Sequence, residues 1–437
     1  MSTTQSAEHS TSPTVESQAG QPHHDDEKNS RLDSGMPDGG LTAWLQVAGC
    51  FILFFNTWGM ANTFGVFQTY YSRELLADMS PSAISWIGSI QGFFLLVVGV
   101  VTGPLYDAGH LRLLLISGTA LVFLGLMMLS LCTTYWQVLL SQGVCVGIGT
   151  GFLYIPALAL IPQYFEKHRA IATGVVTSGS SLGGVIYSLV FQRLVMMLGF
   201  AWAVRIIAFI ALAVLLFSLA VLRRRTAGIA GPVRTLLDRS AFHERPYVLY
   251  CLAMWLSYVG FWVPVFYLQP YALTHGMQRA DNLALYLNAI YNSGSVPGRL
   301  LPSLLARKIG PVQTLFLSCA LTGVAVFSWI GTTTAWGNIT FAVAMGFFSG
   351  GMVALPAVTL ASITRDLSRI GTRLGMSSLL NAFGSLIGPP AAGAILDRAG
   401  GDYIPVQVFA GVAVIACSVV LVALRVSVTG RKWIAAA

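Results

Sequence analysis

Charge is what this sequence has least of. Asp, Glu, Lys and Arg together make up 10% of its 437 residues, against roughly a quarter in a soluble domain. A chain of this size with so little charge cannot coat a water-facing surface. Its hydrophobic residues, 55% of the total, and its mean hydropathy of +0.70 require a second solvent, and lipid is that solvent. Acids are scarcer still: 17 against 25 bases. Seven of the 17 fall in the first 38 residues. The others (Glu74, Asp78, Asp107, Glu166, Asp238, Glu244, Asp281, Asp366, Asp397 and Asp402) all map to loops or span ends. His110, His168, His243 and His275 also lie near loops. No carboxylate or imidazole is therefore expected at mid-membrane, which leaves no side chain for a dedicated proton relay. Six cysteines are present, none in a metal-ligand spacing, and they read as small apolar core residues. No nucleophile–base pair, metal cluster or phosphate loop is found, so the sequence points away from an enzyme and from any cofactor.

What is present is a series of long apolar runs. A crossing helix needs about 20 apolar residues. Such stretches lie near 42–70, 83–105, 112–133, 137–161, 169–193 and 200–222, and again near 247–272, 282–304, 311–331, 336–362, 372–396 and 404–426. Residues 1–40 are polar and read as a disordered tail. They hold no signal peptide, so the first span must serve as the insertion signal. The two sets, 41–222 and 247–426, flank a basic linker at 223–246 that opens on Arg223-Arg224-Arg225; a short tail follows at 427–437. With the N-terminus inside, 19 of the 25 Lys and Arg residues fall in cytoplasmic segments. That bias predicts that both termini are cytoplasmic. The net charge of +8 is thus a topology signal and does not imply nucleic-acid binding.

The two sets echo each other. Gly151-Phe152-Leu153-Tyr154-Ile155-Pro156-Ala157 in the fourth span matches Gly351-Met352-Val353-Ala354-Leu355-Pro356-Ala357 in the tenth, 200 residues on. Gly179-Ser180-Ser181-Leu182-Gly183 in the fifth is matched by Gly384-Ser385-Leu386-Ile387-Gly388 in the eleventh. Such duplication, with small residues that let helices approach closely, predicts an all-α membrane protein of twelve helices in two pseudo-repeated six-helix halves. That is the arrangement of the major facilitator fold.

Three stretches resemble the monocarboxylate transporter family, in its fungal branch. Asp38-Gly39-Gly40-Leu41-Thr42-Ala43-Trp44 is similar to the entry motif before the first helix. Tyr164 through Gly174, including Glu166, Lys167 and Arg169, is similar to the loop leading into the fifth helix. Gly384 through Pro390, running on to Asp397, is similar to the eleventh-helix motif. Gly103 through Arg112 resembles the general facilitator loop between helices two and three. The resemblance covers about residues 38–430 and implies a plasma-membrane carrier. It has departures. Asn62 stands where most animal members have a first-helix Lys, and Ser295 where they have an Asp four residues before the eighth-helix Arg. Leu305-Ala306-Arg307-Lys308 lacks the acid of the matching loop. These changes put lactate-type proton symport in doubt.

One cation stands out. Arg299 lies near the middle to inner part of the eighth span, beside Pro297 and Gly298. Its forked guanidinium suits a carboxylate, and with no acid near it in sequence its counter-ion could be the substrate. The competing reading is an arginine snorkelling to the inner interface. For Arg205, after Trp202 at the outer end of the sixth span, the interfacial reading is preferred. Asn288, Tyr291 or Asn292, Ser295 and Arg299 recur at helical spacing and form the best polar stripe in the chain, either lining a cavity or bonding helix to helix. Asn56, Asn62 and Gln68 are six apart and share no stripe. Asn62, Tyr154, Tyr258, Trp262 and Asn381 complete the candidate substrate-binding set, with membrane packing as the alternative for each aromatic. Asp38 and Trp44, Asp107 with Arg112, and Glu166 with Lys167 and Arg169 are candidate gating residues at helix ends, or topology anchors. Asn338-Ile339-Thr340 matches a glycan acceptor.

These readings predict a secondary active or facilitative carrier. It would move a small organic anion, a monocarboxylate or a carboxylate-bearing metabolite, by alternating access. The main alternative is efflux of a larger secondary metabolite; a nutrient sensor that does not transport comes third. The expected partners are the lipid bilayer and the substrate, with co-transported protons an open question, as is the oligomeric state.

Overall fold

The computed structural model describes residues 39–165, 168–225, 237–277, 283–364 and 369–429. Asp38, Glu166, Lys167, nearly all of the expected tail and residues 226–236 of the linker lie outside the described residues. Among the described residues every regular element is a helix and no strand occurs. In chain order α1 is Leu41–Leu75, α2 Pro81–Asp107, α3 Leu111–Leu129 and α4 Tyr135–Gln163. A continuous run, Arg169–Val221, turns at Gly199, whose φ of 79° only glycine adopts without strain, and so forms two helices, α5 and α6. The second half holds α7 (Arg245–Thr274), α8 (Leu287–Ile309), α9 (Pro311–Gly331), α10 (Ala335–Ile363), α11 (Ile370–Arg398) and α12 (Ile404–Thr429). Ten of the runs are long and apolar enough to span a bilayer. One of these is the α5–α6 pair. The twelfth helix, α8, falls short because Asn288, Asn292, Arg299, Pro297 and Pro302 lie along it.

The helix starts are set by local chemistry. Ser80 caps α2, accepting from the Ala83 amide at 3.2 Å, with Pro81 at the first helical position. Thr134 and Gln137 form a reciprocal capping box at α4, and Thr334 caps α10 through the Gly337 amide at 3.1 Å. These two threonines are also 200 residues apart, so the internal repeat extends to the caps. Apolar side chains such as Leu113, Leu124, Leu140, Phe209 and Val419 stand exposed on the outside, where lipid replaces water.

Lipid gives helices no hydrophobic reason to associate, so close backbone approach must hold them. Within the second half α8 and α10 meet at Gly298, Gly346 and Gly350. A Cβ on any of them would collide with the opposite backbone. Between the halves, α2 packs on α11, α5 on α8 and α1 on α7. Asn338 is fully buried and its amide donates to the His275 carbonyl at 2.9 Å, which leaves it unavailable to a glycan.

A buried ion cluster fixes the end of the linker to α11. Arg373 donates from Nε to Asp238 at 3.1 Å and from Nη1 to Glu244 at 2.8 Å, and sits over the Tyr247 ring. The Ser240 hydroxyl and, behind it, Arg373 hold the Asp238 carboxyl below the usual carboxylate range. Arg373→Ala leaves Asp238 only Arg369, 3.5 Å away, and the Ser240 donors, and is expected to destabilise the protein by about 2 kcal/mol, read as a lower thermal unfolding temperature in detergent. Because the folded value is depressed, the contribution of Asp238 is present above the ordinary aspartate range. It is lost as pH falls through the lowered value, so the gap between wild type and Asp238→Asn should close there.

Candidate functional site: a cleft between the halves

The far face, opposite the linker, is sealed. Tyr267 of α7 is its hub. Its hydroxyl lies 2.6 Å from Ser85 Oγ of α2 and donates to the Pro389 carbonyl of α11 at 3.2 Å. Ser82 donates to the Pro390 carbonyl at 2.9 Å. On α1, Gly65 presses against the Val265 carbonyl of α7, with no room for a Cβ. Beneath this seal, at mid-helix, lies a narrow cleft whose free space, about 10 Å³, is that of a single water. Trp58 and Asn62 of α1, Ser257, Tyr258 and Phe261 of α7, Arg299 of α8, and Met352 and Val353 of α10 line it.

Arg299 is 2% exposed. Its Nε donates to Ser295 Oγ at 3.2 Å. Its Nη1 donates to the Thr177 carbonyl at 2.8 Å and, very closely, to the Ser180 hydroxyl, both on α5 of the other half. All three acceptors are neutral. Among the described residues Arg299 forms no ion pair, and its Nη2 has no hydrogen-bond partner. Tyr258 and Tyr291 are its electrostatic neighbours. A permanently charged group is thus buried against dipoles alone, with one side toward a cleft, an arrangement that favours an anion arriving there.

The α8 stripe resolves into a register with α5. Asn288 donates to Ser188 Oγ at 3.0 Å and to the Asn62 carbonyl at 2.8 Å. The Asn292 amide lies against Gly184, whose missing side chain makes the space. Ser295 accepts from Ser181 at 3.2 Å, and Arg299 reaches Thr177 and Ser180. Each step moves three or four residues along both antiparallel helices. Tyr291 belongs to another face, and its hydroxyl lies 3.5 Å from Ser349 of α10.

The other expected residues scatter. The Asn62 side-chain amide lines the cleft with no hydrogen bond among the described residues. Tyr154 is half-buried and meets Trp58 edge-on at 5.7 Å. Trp262 stacks on Trp58, centroids 6.1 Å apart and planes 9° apart, and its buried Nε1 has no acceptor. Asn381 is buried on α11, outside the cleft lining, with Oδ1 unpaired. At the linker face Trp44 packs on Phe165, while Arg112 and Arg169 are exposed and form no ion pair among the described residues. Arg224, rather than Arg112, closes the end of α2, donating to the carbonyls of Tyr106 and Asp107 at 3.0 and 2.9 Å. Asp107 has interactions of its own. Sequence reasoning missed Trp58, although it precedes Asn62 by one helical turn and so shares its face.

The described residues form twelve helices in two packed halves with a cleft between them, and comparison with known proteins identifies the family. The Major Facilitator Superfamily matches residues 49–345. The chain belongs to that superfamily. It is 45% identical to an MFS-type transporter, dbaD, of Emericella nidulans, over 83% of this chain and 81% of that one. It is 41% identical to the aspyridones efflux protein apdF of the same organism, over 85% and 75%. It is 36% identical to the fujikurins efflux protein of Gibberella fujikuroi, over 92% and 87%. A crystal structure of the nucleoside transporter NupG superposes with a TM-score of 0.65 over 89% of this chain and 100% of that one, at 12% identity. That likeness speaks for the fold alone.

Proposed function

We propose that this membrane transporter exports a small organic metabolite that carries an anionic oxygen, by alternating access of its two halves, with Arg299 as the anion ligand. The observation that carries the reading is a buried guanidinium with no ion pair among the described residues, one face toward a cleft between the halves. Relatives named as efflux proteins support export over uptake, so the metabolite-efflux reading displaces the simple monocarboxylate one. The motif likeness to monocarboxylate carriers supports a negative charge on the cargo. Asn62 and Ser295, at the positions of a Lys and an Asp in most animal members, favour a cargo other than lactate. Asn62, Ser257 and Tyr258 are the neutral contacts around the anion. Tyr154 and Trp262 act from beside the cleft, while Asn288, Tyr291, Asn292, Ser295 and Asn381 shape its walls. The Lys and Arg bias supports a cytoplasmic linker and cytoplasmic termini, and the family resemblance supports the plasma membrane as the host. Any gating role falls to the helix-end residues Trp44, Asp107, Arg112 and Arg169, and to Asp38, Glu166 and Lys167.

The test is flux in proteoliposomes, against a panel of labelled aliphatic and aromatic carboxylates, with and without a proton gradient. At least one carboxylate should cross faster than in empty liposomes. Gradient dependence is expected only where the cargo's own carboxyl can carry the proton, since no acid or imidazole is expected at mid-membrane. Correctly inserted protein that moves no anion in the panel overturns the reading.

A further inference from the structure

We propose that Trp58 and Trp262 form an aromatic clamp, one jaw from each half, that selects flat conjugated anions over saturated ones of equal size. The inference rests on the cleft being the anion site. Trp58 lines that cleft together with Arg299. Its ring is stacked on Trp262 across the boundary between α1 and α7. Tyr154 and Phe261 meet the pair edge-on at 5.7 and 5.2 Å, so both indoles are held in orientation. Tyr258 adds another ring to the wall. A flat π-system can replace one indole as the partner of the other, keeping the favoured offset stack. A puckered ring of the same volume cannot.

Two polar groups extend the recognition. The Trp262 Nε1 donor is buried with no acceptor. A buried N–H of that kind is costly unless something accepts from it, and a carbonyl or phenolic oxygen on the ligand ring is of the right type. The Asn62 amide, also unbonded, can take a second ring substituent. The ligand class is therefore an oxygenated, conjugated ring system with an acidic oxygen placed to reach Arg299. The jaws come from opposite halves, so a ring entering between them moves α1 against α7. Ligand shape is thereby linked to the motion of transport.

The experiment is calorimetric titration of the purified full-length protein with three matched probes. These are 2-naphthoate, its methyl ester, and decahydro-2-naphthoate. The wild type should bind the flat anion roughly tenfold more tightly than the saturated one, the scale of an aromatic pair, and should bind the ester poorly. Trp58→Leu should erase the difference between the two anions. Where that variant does not fold, Trp58→Phe keeps a smaller ring and should show an intermediate ratio. Equal affinity for the two anions in the wild type overturns the clamp but leaves the anion site standing. An ester that binds as well as the acid removes the oxyanion from the recognition. Folded protein that binds neither anion overturns the anion site, and the clamp with it.

Discussion

Arg299→Gln should reduce transport of an anionic cargo by roughly 10- to 150-fold, the worth of a charge-assisted hydrogen bond of about 1.5–3 kcal/mol, while the protein still folds and inserts. The two halves of that expectation have separate reasons. The guanidinium is held by Ser295, Thr177 and Ser180, all neutral, so removing it strands no opposite charge. Desolvation of an uncompensated cation is a cost, and a neutral amide relieves it. Stability should therefore hold or rise. Flux should fall because nothing else lining the cleft is charged. Arg299→Lys keeps the charge but loses the fork that serves α5 and the cleft together, and should lie between the two. Thermal unfolding of the purified variant, alongside flux in proteoliposomes, checks both halves. Unchanged flux in a folded Arg299→Gln would remove the anion ligand from the proposal.

The α8 stripe was legible because helical period is a local property. Asn288, Asn292, Ser295 and Arg299 recur every three or four residues whatever they face. Their partners were not legible, since Ser188, Gly184, Ser181, Thr177 and Ser180 are about 100 to 120 residues away and read only as small-residue packing. The structure joins the cavity reading and the helix-bonding reading: the stripe bonds α8 to α5, and its last member also lines the cleft. On the proposed function, an anion at Arg299 would share the guanidinium with α5, which would link substrate binding to the contact between the halves through one side chain.

Other features were beyond a one-dimensional reading. The Arg373 cluster joins α11 to Asp238 and Glu244 across some 130 residues, and each of the three reads separately as an ordinary charge at a span end. Nothing in the sequence set Tyr267 apart from the other aromatics of α7, yet it is the point where α2, α7 and α11 meet. The twelve helices themselves were largely legible, because bilayer thickness imposes their length. The boundary between α5 and α6 also falls where the apolar runs break, between 193 and 200, although one glycine at positive φ stands there in place of a loop.

Gly65→Val should nearly abolish transport by a different route. Gly65 touches the Val265 carbonyl of the other half, so a side chain there does not disturb packing within either half. It obstructs only the sealed far face. Gly298 and Gly346 make equally close contacts inside the second half, and valine at either should lower the yield of folded protein. At Gly65 the halves can part instead. If the overlap costs the sealed state about 3 kcal/mol, the equilibrium between the two orientations moves by roughly 150-fold toward opening at the far face. A single cysteine at Gln68, 2% exposed in the sealed state, reports on this in a background without the native cysteines. A membrane-impermeant maleimide added from the far side should label Gln68→Cys slowly in the otherwise wild-type chain and rapidly with Gly65→Val. Rapid labelling with lost flux assigns Gly65 to the closing of one gate. Slow labelling with normal flux means that the α1–α7 contact can spread by a methyl group's width at little cost, and the seal then rests on the bonds of Tyr267 and Ser82.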